Sequence, residues 1–249
     1  MKRTLRFLPL LALSLPLLAC GCVNFWPHRV VAASSEVVSE TREVSGFDGV
    51  ELSGIGKIVL EQGSAESLEI SGPENVLPLV ETSVRGGTLV IEMQKDVAVT
   101  GMHSANMLTF TVGVRELSSI SVSGAGDVEM DALSADRLDV TMSGAGRIDL
   151  KGLDLEDLEL TLSGAGDVHL AGRAALAEIE ISGTGNIDAD NLEIANARVS
   201  ISGLGNATVW ATERLSGTIS GAGNVDYFGE PDTDFHTSGL GRYRSLGDK

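Results

Sequence analysis

Cysteine is almost missing from this chain of 249 residues. Its only two, Cys20 and Cys22, lie near the start, so no disulfide framework and no cysteine metal site can hold the rest together. Aromatic residues make up only 4%, so stacking platforms for sugars or bases are scarce. Positive charge is short as well, with 18 Lys and Arg against 35 Asp and Glu and a formal net charge of −17. Such a chain is repelled by phosphate backbones and anionic lipid surfaces, which excludes a nucleic-acid partner. The four histidines, His28, His103, His169 and His236, share no metal-ligand spacing, so no metal and no other cofactor is expected.

Glycine, in contrast, is abundant and ordered. Ser-Gly-Ala-Gly stands at Ser123, Ser143, Ser163 and Ser220, Ser-Gly-Thr-Gly at Ser182, and Ser-Gly-Leu-Gly at Ser202 and Ser238. Successive serines are 20, 20, 19, 20, 18 and 18 residues apart, and an upstream copy begins at Ser53. Self-similarity at such a period marks a solenoid, in which each repeat stacks on the next.

Aligned on the serine, the repeats form columns. Three residues before it stand Ile120, Val140, Leu160, Ile179 and Val199, and five after it stand Val128, Ile148, Val168 and Ile187. Polar residues such as Asp139, Glu159, Glu180 and Arg198 fall between, giving the period of two that belongs to strand. Each repeat is read as strand, Gly-X-Gly corner, strand and a second polar connection, with the residue between the glycines pointing partly inward. An antiparallel meander would also alternate. Columns of one chemistry favour an all-β parallel β-helix with roughly 18–20 residues per coil, in which like positions stack about 4.8 Å apart. The column Asp127, Arg147, Asp167, Asn186, Asn206, Asn224 and Arg242 should then form a ladder of opposite charges and asparagines.

The chain opens with Lys2, Arg3 and Arg6, an apolar run from Leu8 to Leu18, and the small residue Ala19, the pattern of a signal peptide over residues 1–19. Leu17-Leu18-Ala19-Cys20 resembles the lipobox of bacterial lipoproteins, which implies acylation of Cys20 and a membrane anchor. With Gly21 rather than Asp following, that resemblance implies the outer membrane where a cell has one. Loss of the leader's three cations takes the formal charge from −17 to −20. Residues 20–42 are expected to be the lipidated start and a tether, and 43–246 the folded domain, irregular over 43–114 and regular over 115–246. Within it, residues 67–76 look like the coil after Gly63, and Leu77 to Thr82 a helical turn.

The opening Phe47-Asp48-Gly49-Val50-Glu51-Leu52, the strand Gly87-Thr88-Leu89-Val90-Ile91 and the Ser-Gly-Ala-Gly-Asp-Val repeats resemble the bacterial head GIN domain family, the putative auto-transporter adhesins. The resemblance spans about Glu43 to Leu246 and implies a right-handed parallel β-helix on the cell envelope. It brings no ligand, catalytic residue or cofactor.

Catalysis on a β-helix needs a cluster that breaks the repeat, such as paired carboxylates. Glu129, Asp149, Asp188 and Asp226 share one column instead, as a solvated face would. Calcium-binding β-helix repeats have a nine-residue period, which this chain does not share. Three roles follow: a non-catalytic binding or scaffold module with an envelope polysaccharide or protein as partner, a self-associating homo-oligomer, or a carbohydrate-active enzyme. The first is favoured. Its expected contacts are His103 and Asn106 in the irregular loop 96–107, which would otherwise be a cap, and the outward-facing Trp210.

Overall fold

A computed structural model describes residues 29–249. The expected signal peptide, Cys20, Cys22 and His28 lie outside the described residues. The strands, in chain order, are β1 (Arg29–Ala32), β2 (Val37–Arg42), β3 (Gly49–Ser53), β4 (Ile55–Gln62), β5 (Ser67–Pro73), β6 (Val80–Arg85), β7 (Thr88–Met93), β8 (Val97–Thr100), β9 (Thr109–Val114) and β10 (Ser119–Val122). They continue as β11 (Ala125–Met130), β12 (Leu133–Met142), β13 (Ala145–Leu162), β14 (Ala165–Ile181), β15 (Thr184–Ile201), β16 (Leu204–Ile219), β17 (Asn224–Phe228), β18 (Asp232–Thr237) and β19 (Arg242–Gly247).

The long strands β13 to β16 stack in parallel, with Ala145, Ala165, Thr184 and Leu204 in register, so the fold is a parallel β-helix. Columns predicted to face inward do so. Ile120, Val140, Leu160, Ile179 and Val199 are all buried, as are Val128, Ile148, Val168 and Ile187. Burying each such side chain contributes about 1.5–3 kcal/mol.

One coil has three faces rather than two. Along β13 the burial alternates strictly except at Lys151–Gly152 and Glu156–Asp157, and each slip turns the chain onto a new face. The stretch expected to be a second polar connection is therefore strand. It places Leu153 and Leu155 inward, in register with Gly172 and Ala174 of the next coil.

The Gly-X-Gly corner is also turned differently from expectation. Its middle residue faces solvent: Ala145, Ala165 and Thr184 are exposed, and Leu204 and Leu240 are 61% and 89% exposed. The glycines are required by contact between coils. A Cβ on Gly164 would lie 1.9 Å from the carbonyl oxygen of Gly144, and the same crowding recurs along the stack. Gly217 breaks the column of Val199 through the same crowding, since a Cβ there would lie 2.1 Å from the Val199 carbonyl oxygen, with the Tyr243 hydroxyl 3.2 Å away.

Coil order departs from chain order at the N-terminal end. The coil made by β3 and β4 lies between β7 with β9 on one side and β10 with β11 on the other. Residues 67–76 are not the next coil. β5 runs antiparallel to both β2 and β9, and β6 runs antiparallel to β7. The described part of the expected tether holds two strands: β1 pairs with β8, and β2 pairs with β5. Alternation in Val37–Arg42 is too short to stand out in sequence, and its partner is supplied from a distance. The helical turn shrinks to a 3-10 turn at Leu77–Leu79, where Pro78 supplies the start but Val80 is already extended.

Candidate functional site

The outward faces carry ladders that run along the rod. Asn186 Nδ2 donates to Asp167 Oδ1 at 3.1 Å, Asn206 Nδ2 to Asn186 Oδ1 at 3.0 Å, and Asn224 Nδ2 to Asn206 Oδ1 at 3.0 Å. This is the predicted asparagine ladder, each amide satisfied by the coil before it. Three of the four carboxylates in the neighbouring column meet a cation: Glu129 lies 2.7 Å from Lys57 Nζ, Asp149 lies 3.4 Å from Lys151 Nζ, and Asp226 takes a two-pronged bond from Arg244. Asp188 faces His169 at 3.8 Å. Arg173 clamps Asp154 across coils at 2.6 and 2.8 Å, and these hydrogen bonds hold the carboxyl below its usual pKa.

The loop expected at 96–107 is shorter than predicted, because Val97–Thr100 is β8. Asn106 is buried, and its amide is used within the chain. Its Oδ1 accepts from the His103 N–H at 2.8 Å and also meets His103 Nδ1. Its Nδ2 faces the carbonyls of Ser34 and Gly101 at 3.2 and 3.4 Å. Asn106 therefore pins the loop to the β1–β2 connection and has little left for a partner. His103 is exposed, with one ring nitrogen engaged by that pin.

A cleft of about 340 Å³ was not foreseen. It is lined by Gly46, Phe47, Asp48, Glu66, Arg115 and Glu116. Glu66 accepts from Arg115 at 2.6 and 3.1 Å and from the Gly46 N–H at 2.6 Å, which together hold its carboxyl below the usual carboxylate range. This arrangement staples the Phe-Asp-Gly corner to the end of β9. Neither the Glu66–Arg115 separation nor the cleft has a local sequence signal.

Trp210 is half-buried and does not stand alone. It is in register with Phe228 on the next coil, and Lys249 Nζ lies 5.5 Å from the Trp210 ring centre and 5.1 Å from that of Phe228. His103–Asn106 and Trp210 belong to separate places on the rod. Among the described residues no group of three or more His, Cys, Asp or Glu side chains could hold a metal ion.

Solved structures share this fold. A putative adhesin from Bacteroides fragilis superposes with a TM-score of 0.83 at 29% identity, over 87% of this chain and 100% of its own. A putative adhesin from Parabacteroides merdae gives 0.65 at 22% identity, and a putative lipid binding protein from Parabacteroides distasonis gives 0.69 at 18%. Each of these two matches covers 87% of this chain and 99% of the other, and at such identities they speak for the fold alone. No curated protein matches the chain. The family model described as putative auto-transporter adhesin, head GIN domain, matches residues 46–231, and the chain belongs to that family.

Proposed function

We propose that the protein is a non-catalytic binding module of the cell envelope, anchored through an acylated Cys20 and presenting its β-helix to a polysaccharide or protein partner. The observation that carries this reading is the regularity of the outward faces. The same polar positions recur coil after coil and are tied to one another by the asparagine ladder and the cross-coil ion pairs. Such a surface suits broad, multivalent contact, in which many weak encounters add up when copies share one membrane. Family membership and the adhesin name of the Bacteroides fragilis relative support the same reading.

Two measurements test it. Mature protein displayed densely on beads should bind envelope polysaccharide or envelope protein far more strongly than the monomer in solution. Release of reducing ends from that polysaccharide would overturn the non-enzyme reading. A Cys20→Ser variant should leave the membrane fraction while keeping its strand content, because no described strand uses that residue. Unchanged membrane partition would remove the anchor.

A further inference from the structure

Of the register slips in the stack, one between β15 and β16 skips the most residues on a single strand. β15 and β16 keep register up to Ala189 opposite Val209, and the next pair is Glu193 opposite Trp210. Asp190, Asn191 and Leu192 have no partner on β16 and form a bulge on that side, although Asn191 and Leu192 still pair with Ala171 and Gly172 of β14. The coil length changes here, since Ser182 to Ser202 spans 20 residues and Ser202 to Ser220 spans 18. A bulge of this kind re-aims side chains at the surface. Here it sets Asp190 and Asn191 near Trp210 and Phe228, which are in register on adjacent coils.

Within this group sits one ammonium. Lys249 Nζ is 3.2 Å from Asp190 Oδ2 and 3.3 Å from Asn191 Oδ1, and it also meets the Asp190 carbonyl oxygen. The two aromatic rings lie within cation–π range on its other sides. Asn191 Nδ2 donates to Asp190 Oδ1 at 2.6 Å, which holds the other carboxylate oxygen toward the cation. Lys249 reaches this point from just beyond β19, where Gly247 opposes Phe228. Three oxygen acceptors and two ring faces around one –NH3+ match what a primary ammonium can use, namely three donors and a compact charge.

We propose that Asp190, Asn191, Trp210 and Phe228 form a binding site for a primary ammonium, filled in cis by Lys249 and open to a lysine side chain of a partner protein when Lys249 withdraws. A lysine on a polypeptide is the source that the site favours. The resident occupant is itself a lysine on a polypeptide segment that follows β19, and the strongly acidic chain attracts basic peptides. An ethanolamine headgroup carries a phosphate close to its amine, which the Asp190 and Glu193 carboxylates would repel. The site stands independently of the envelope reading and of Cys20.

The test uses the full chain with Trp26→Phe, so that Trp210 is the sole tryptophan and reports on its own surroundings. In a Lys249→Gln background, a capped Gly-Lys-Gly peptide should change Trp210 emission saturably at millimolar concentration. The same peptide acetylated on its lysine should give no change. With Lys249 present the response should be at least tenfold weaker, because the tethered side chain competes at high effective concentration. Adding Asp190→Asn to the Gln variant should weaken it at least tenfold. Lys249 lies outside the core, so the Gln variant should keep its strand signal. In the unaltered chain, chemical acetylation of Lys249 followed by mass spectrometry should be slower than that of exposed Lys95, and faster once the peptide is added. No response to the lysine peptide, an equal response with and without Lys249, or a response to glycerophosphoethanolamine alone would each overturn the assignment.

Discussion

Replacing Gly164 with Ala tests the packing of one coil on another more directly than a core substitution would. The added methyl would sit 1.9 Å from the Gly144 carbonyl oxygen and 2.7 Å from the Ser143 carbonyl carbon and oxygen, all of them backbone atoms that cannot swing aside. Ordinary contact begins near 3.4 Å, so the two coils must part by about 1.5 Å at this corner. That movement stretches the bond from Ala165 N–H to the Gly144 carbonyl, now 2.9 Å, beyond any useful length. The bonds from Ser163 and Gly164 N–H to the Met142 carbonyl, at 2.8 and 3.1 Å, are strained with it. At about 1 kcal/mol net for each bond, plus the cost of displaced packing, the loss should be about 2–4 kcal/mol. That is a large part of the roughly 5–15 kcal/mol that a domain has in hand. The neighbouring change Ala165→Leu should cost less than about 0.5 kcal/mol, because the side chain points to water and other coils carry Leu204 and Leu240 there. Urea unfolding followed by circular dichroism measures both, and a midpoint for Gly164→Ala as high as that for Ala165→Leu would refute the close-approach explanation.

Val140→Asp should destabilise by several kcal/mol, since it buries an unpaired charge between Ile120 and Leu160, whereas Asp139→Asn should cost little; equal thermal shifts would sink the inward and outward assignment. Tyr243 is stacked on Phe235 at 3.8 Å with a buried hydroxyl that has no hydrogen-bond partner among the described residues, and burial pushes its pKa up to about 12. The folded state then holds this proton more tightly than the unfolded chain, so stability is full below about pH 10 and falls as pH rises toward 12. Tyr243→Phe should be neutral or stabilising at pH 7 and should flatten that alkaline slope in urea titrations; a destabilised Phe variant would mean the hydroxyl has a partner. Asn106→Ala should free the loop from the β1–β2 connection and cost about 1–2 kcal/mol locally. Hydrogen exchange at Ala33, which donates to the Thr100 carbonyl, should accelerate while exchange in β13 to β16 stays unchanged.

What could be read from the residues follows from what a repeat preserves. A column such as Ile120, Val140, Leu160, Ile179 and Val199 keeps one chemistry at every step, so its inward direction and its parallel partners are both legible. The asparagine ladder is legible for the same reason. The third face is not, because the register slips between Leu150 and Leu153 and again between His169 and Ala171, so its columns fall out of alignment with the serine. Placement of the β3–β4 coil is hidden differently. Its neighbours on both sides, β7 with β9 and β10 with β11, come from later in the chain, and pairing at that distance leaves no local pattern.

The same reasoning explains why the functional residues are harder to read than the fold. Aligning repeats rewards positions that agree and discards those that do not fit a column. Asp190 fits none, and Asn191 pairs back to Ala171 but has no partner on β16, where a coil of 20 meets one of 18. A paired column spends its side chains on the coils above and below, as Asn186 does with Asp167 and Asn206. Residues outside a column have no such neighbour to satisfy and are free to face something else. In the structure they face Lys249, a contact across 59 residues that joins a bulge, two aromatic rings and a segment from beyond the last strand. Trp210 was the visible part of that arrangement, because an aromatic side chain is rare in this chain. Its partners become visible only when the coils are stacked and the mismatch in their lengths acquires a position on the surface.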